Sequence, residues 1–189
     1  MTWNTFHSRG EILHLVVETA DTRRDGLLPM ELPGVAETFR DELDLLGALW
    51  LKWNARLSGN IERSLTAEPL DLEGAVAAAW KRTAAQMPGV RLILDRYLES
   101  PSNPEMAAAL NRAAEKEWIR LAAAAGLAND ESPAAARAGR QVELRARTAR
   151  RDEAAAELLA TATTEVAAAP TVDEGTPSLV ERIKAVLAA

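Results

Sequence analysis

LPGVAETFRDELDLLGALWLKWNARLSGNIERSL, residues 32–65, carries the strongest pattern in the chain. Leu32, Ala36, Phe39, Leu43, Leu46, Trp50, Trp53 and Leu57 recur at alternating spacings of four and three, which places them on one face of a helix. The stripe continues with a shifted spacing through Ile61 to Leu65. The pattern predicts a single helix of about 30 residues, ~45 Å long at about 1.5 Å per residue. Trp50 and Trp53 lie on the stripe, where each ring buries on the order of 200 Å² between helices. A stripe at this spacing faces a core far more often than it faces a ligand.

The flanking segments repeat the pattern on a smaller scale. A first helix is expected from about Ser8 to Arg23, followed by the loop RDGLLPMELPG, punctuated by Gly26, Pro29 and Pro33. Asp71 is a candidate N-cap for a helix carrying Leu72, Val76, Ala79, Trp80 and Thr83. Pro88 and Gly89 interrupt it, and Val90, Ile93, Leu94 and Tyr97 resume the period. Asn103 as cap and Pro104 at the first helical position start a helix with Met106, Leu110, Ala114, Trp118 and Leu121 on one face, ending near Gly126. These pieces suffice for an antiparallel helical bundle over residues 1–131.

Ser132 and Pro133 begin a further helical stretch, 132–166, with no large apolar side chain between Leu144 and Leu158. It is expected to be an Ala/Arg-rich helix, exposed or partly mobile. Residues 167–177, AAAPTVDEGTP, read as a linker by their two prolines and one glycine. Residues 178–189 then form a tethered amphipathic helix. Ser178-x-x-Glu181 opens it as a capping box, and Leu179, Val180, Ile183, Val186 and Leu187 form its apolar face. A helix this short is marginal alone in water, so it needs a surface to bury that face.

Composition agrees with an all-α fold. Alanine supplies 38 of the 189 residues and leucine 25, the residues of highest helix preference, and no segment alternates apolar and polar residues over a strand length. There is no cysteine, which removes thiolate metal sites, disulfides and cysteine nucleophiles. No stretch reaches the roughly 20 apolar residues of a bilayer span, and the net charge of −6 disfavours general polyanion binding. The expectation is a soluble, cytoplasmic protein with no membrane partner.

Both histidines fall in HSRGEILH, residues 7–14. On one helix, Glu11, His14 and Glu18 share a face, and Glu11-x-x-His14 has the spacing used by carboxylate-bridged di-iron bundles. Such a site needs a second motif of the same kind, and no third histidine exists to build it. Ser8-x-x-Glu11 is also a capping box, and the apolar residues Ile12, Leu13, Leu15, Val16 and Val17 point to the opposite side. His14 is therefore expected outside the core. Glu37, Asp41, Glu42 and Asp44, with Glu115 and Glu117, are further carboxylates suited to a cation, or to pairing with Arg40 and Arg112 on a solvated face.

Arg137, Arg140, Arg147 and Arg151 form a basic stripe in a segment holding six arginines against one glutamate. Such a stripe suits phosphates, an acidic protein surface or plain solvation, and it lacks an aromatic for base stacking. No phosphate-binding glycine loop or nucleophile elbow is present, and no motif calls for a cofactor. The reading that follows is a non-enzymatic interaction or scaffold bundle, docking a protein partner or a second subunit through the basic helix and the terminal helix. The alternatives are a ferritin-like or hemerythrin-like metal bundle and a nucleic-acid binder.

Overall fold

The computed structural model describes residues 9–168, with side chains described as far as residue 160. The described residues form helices without strands: α1 (Arg9–Arg23), α2 (Val35–Thr38), α3 (Glu42–Ala67), α4 (Leu72–Gln86), α5 (Pro88–Glu99), α6 (Pro104–Ala124) and α7 (Pro133–Ala168). The chain is an all-α helical bundle. It divides into a first compact unit ending at Arg150 and a second beginning at Arg151.

The expected helix from Leu32 to Leu65 is broken. Phe39 leaves α2 in an extended conformation, and the Asp41 side chain accepts the Asp44 N–H at 2.8 Å to start α3. Asp41, Glu42 and Asp44 crowd acidic groups into a first turn, where the exposed N–H groups and the helix dipole favour them. Phe39 is still buried, but before it the buried face shifts: Ala36 of the stripe is exposed and Val35 beside it is buried. Arg9 fastens the break from α1: it donates to the Thr38 carbonyl at 3.0 Å, pairs with Asp44 at 2.9 Å and stacks 4.4 Å from the Phe39 ring.

The remaining boundaries follow their local chemistry. Asp71 accepts the Gly74 N–H at 2.9 Å, and Asn103 accepts the Met106 N–H at 2.8 Å. The Ser132 hydroxyl accepts the Ala135 N–H at 3.2 Å at the start of α7. Ser8, the proposed cap of α1, lies outside the described residues, as do Leu179, Val180, Ile183, Val186 and Leu187.

Within the first unit the core is continuous. It joins Ile12 and Val16 of α1, Leu45, Leu49, Trp53 and Leu57 of α3, Val76 and Trp80 of α4, Ile93 and Leu94 of α5, and Leu110 and Leu121 of α6. Trp53 and Trp80 meet edge to face, centroids 5.8 Å apart. Asn60, fully buried, joins α3 to α4 by donating to Thr83 Oγ1 at 2.8 Å and Gln86 Oε1 at 3.1 Å. Where α5 crosses α1, a Cβ on Gly89 would collide with the Ala20 carbonyl, and Asp21 accepts the Gly89 N–H at 2.8 Å. Backbone meets backbone there, which only glycine permits.

The first compact unit runs on to Arg150, and α7 joins its core through small residues. Ala135, Ala136, Gly139, Val142 and Ala146 are buried, and a Cβ on Gly139 would strike the Trp118 carbonyl of α6. Searching for large apolar side chains misses this kind of face, in which close backbone approach replaces side-chain bulk. Exposure holds further along, since every residue from Arg151 to Ala160 is exposed.

Candidate functional site

The first unit encloses a cluster of charge. Arg91 and Asp95 come from α5, Glu117 from α6, and Glu143 and Arg147 from α7. Arg91 and Glu117 are 3% and 2% exposed. Their positions follow from the helical period. Arg91 lies on the stripe Met87, Arg91, Leu94, Leu98, and Glu117 on the stripe Leu110, Ala114, Glu117, Leu121, both at spacings of four and three.

Most of the groups pair with one another, while Arg91 Nε and Glu117 Oε2 are buried without a hydrogen-bond partner. Arg91 pairs with Asp95 at 2.7 Å and Glu117 at 3.7 Å. Arg147 holds Asp95 through two bonds of 2.7 and 2.8 Å, one to each oxygen, the fork geometry in which guanidinium–carboxylate pairs are strongest, and donates twice to Glu143 Oε1, at 2.6 and 2.8 Å. The Trp53 indole donates to Glu117 at 3.1 Å, and the Trp118 indole donates to Glu143. The rings also face the cations. The Arg91 guanidinium lies 4.9 Å from Trp53 and 5.7 Å from Trp50, and that of Arg147 lies 4.8 Å from Trp80.

Electrostatics split the carboxylates. Burial pushes Glu117 above its ordinary range; Arg91 opposes the rise and Glu143 adds to it. Burial also pushes Asp95 upward, but the hydrogen bonds and charges of Arg147 and Arg91 outweigh it and hold this carboxyl low. Desolvation disfavours a charged Arg147, yet its bonds to Asp95 and Glu143 raise its pKa and keep it cationic.

Beside the cluster is a cavity of about 150 Å³, lined by Trp50, Arg91, Glu117, Trp118, Arg140 and Glu143 among others. Pockets that hold a cofactor or drug-sized ligand run to roughly 300–1,000 Å³, so this space suits a few water molecules. What the arrangement does chemically is tie α5, α6 and α7 together over tryptophans from α3 and α4.

The residues singled out from the sequence separate. Arg147 is drawn out of the basic stripe into the cluster. Arg137, Arg140 and Arg151 are exposed, with Arg140 lying 5.3 Å from the Trp118 ring, the aromatic neighbour that the stripe itself lacks. His14 faces solvent and pairs with Glu18 at 3.2 Å, both side chains more than 60% exposed, and Glu11 is exposed as well. No group of three or more His, Asp or Glu side chains placed to hold a metal occurs among the described residues. Of the other acidic groups, Asp41 caps α3, Asp44 pairs with Arg9 and Glu42 accepts from Ser102 at 3.4 Å. Glu117 does not share the solvated face expected of it, because its place on the core stripe and its partner Arg91 take it inside.

Fold and site together define a class only, an all-α bundle with a buried polar cluster. No known protein family, characterised protein or solved structure matches the chain. No helix among the described residues is long and apolar enough to cross a membrane.

Proposed function

We propose that the chain is a non-enzymatic interaction protein, in which the bundle is a rigid mount and the surface beyond Arg150 docks a protein partner. The observation that carries this reading is the change along α7. Its first half contributes Ala135, Ala136, Val142 and Ala146 to the core, whereas residues 151–160 are exposed and include Leu158 at 73%. A helix that leaves apolar side chains in water gains by covering them, and helix-in-groove recognition uses such faces. The apolar side chains spaced through the sequence of residues 178–189 are proposed to bind the same partner.

The test compares the full chain with a chain ending at Arg150, each used as bait in extract from its native host. The reading expects a partner retained in near-stoichiometric amount by the full chain alone, with both baits showing the same bundle melting. Identical sets of retained proteins would remove it. The nucleic-acid alternative keeps three exposed arginines, Arg137, Arg140 and Arg151, and loses Arg147, whose charge is already neutralised by Asp95 and Glu143.

A further inference from the structure

A second surface lies on the first unit and is lined by no residue of α7. A groove of about 830 Å³ runs along α3, with Leu43, Gly47, Ala48, Leu51 and Ala55 on its floor, the start of α1 on one side and Glu105 and Ala109 of α6 on the other. Leu51 stands in it 72% exposed, one helical turn from Gly47. A Cβ on Gly47 would meet no atom within 4 Å. The floor therefore carries a protruding apolar knob and an open gap side by side.

That pairing suits a copy of itself. If two α3 helices cross antiparallel about a two-fold axis near Leu49, Leu51 of each falls over Gly47 of the other. A symmetric contact of this kind requires that one patch be complementary to itself. The same rotation sets Asp44 of one helix opposite position 54 of the other, within a turn of Lys52. The charges lining the groove also balance: Arg9, Arg40 and Lys52 against Asp41, Asp44 and Glu105. For a chain of net charge −6, a locally neutral apolar face is where two copies can approach without like-charge repulsion. A strongly charged partner would gain nothing from such a balance.

The geometry points to a homodimer of this chain formed through the α3 groove, with Leu51 seated over Gly47 of the partner copy. The inference uses no residue of α7, so it stands or falls separately from the docking function. Sedimentation of the full chain across a concentration series should show a species of twice the 20.4 kDa chain mass. Leu51→Glu, at an exposed position, should weaken association about ten-fold or more while leaving the circular dichroism and melting of the bundle unchanged. Should that variant lose its fold, cysteine pairing decides instead, because the natural chain contains no cysteine. A mixture of Gly47→Cys and Leu51→Cys chains should form the mixed disulfide several-fold faster than either chain alone pairs with itself. A monomer at every concentration, whatever else fills the groove, overturns the proposal. So does a dimer indifferent to Leu51→Glu in its folded form, or one in which the two homodisulfides dominate.

Discussion

Glu117 concentrates the physical tension in the molecule. It is buried against Arg91, whose charge Asp95 also holds at 2.7 Å, so removing Glu117 strips the Trp53 indole of its acceptor without leaving Arg91 unpaired. Glu117→Ala should therefore destabilise the bundle by about 1–3 kcal/mol, read from denaturant midpoints. Glu117→Gln keeps an acceptor for the Trp53 indole and should cost less. It should also change the pH dependence. Because burial raises Glu117, the folded chain retains its proton at pH values where the unfolded chain has lost it. Stability then falls as pH climbs from the ordinary glutamate value of 4.5 toward the higher folded one. Asp21, raised by burial in the same direction, contributes a fall of the same sign, so Glu117→Gln should lessen that slope rather than abolish it. Asp95 acts in reverse: held below 3.8, it stabilises above that value and the contribution disappears as pH drops through its folded pKa. Unfolding titrations from pH 3 to 8 on both chains separate the two effects.

At the scale of the element, α7 depends on smallness. In an exposed helix Gly→Ala gains up to about 1 kcal/mol from backbone entropy. At Gly139 the added methyl would strike the Trp118 carbonyl, a backbone atom that cannot turn aside as a side chain does. Gly139→Ala should therefore destabilise, by roughly 1–3 kcal/mol, the range typical of overpacking. A chain stabilised by this substitution in thermal melts would place α7 elsewhere. The helices with large apolar stripes were legible from their period, and the caps Asp71, Asn103 and Ser132 from residue type alone. Two features were not. The break at Phe39–Asp41 lay inside an unbroken stripe, and its only local signal was the run of acidic residues after Asp41. The attachment of α7 was hidden because alanine and glycine carry no hydropathic contrast, although their recurrence from Ala135 to Ala146 traces one face.

For the whole molecule, the polar cluster decides how far the bundle extends. Arg91 and Glu117 could have been found as charged residues at core positions of two stripes of opposite charge. Arg147, read as part of a basic surface, could not, because its partner Asp95 lies 52 residues away and only the fold brings the two together. Through that pair and the Trp118–Glu143 bond, the first half of α7 is built into the bundle, while residues 151–160 are exposed. Hydrogen–deuterium exchange along α7 of the full chain tests this division most directly. Amides between Ala136 and Arg147 should be protected to nearly the level of α3, opening only with the bundle, whereas those between Arg151 and Ala160 should exchange orders of magnitude faster. Uniform, rapid exchange from Ala136 to Ala160 would contradict the account, because it would show that α7 is not held by the cluster at all.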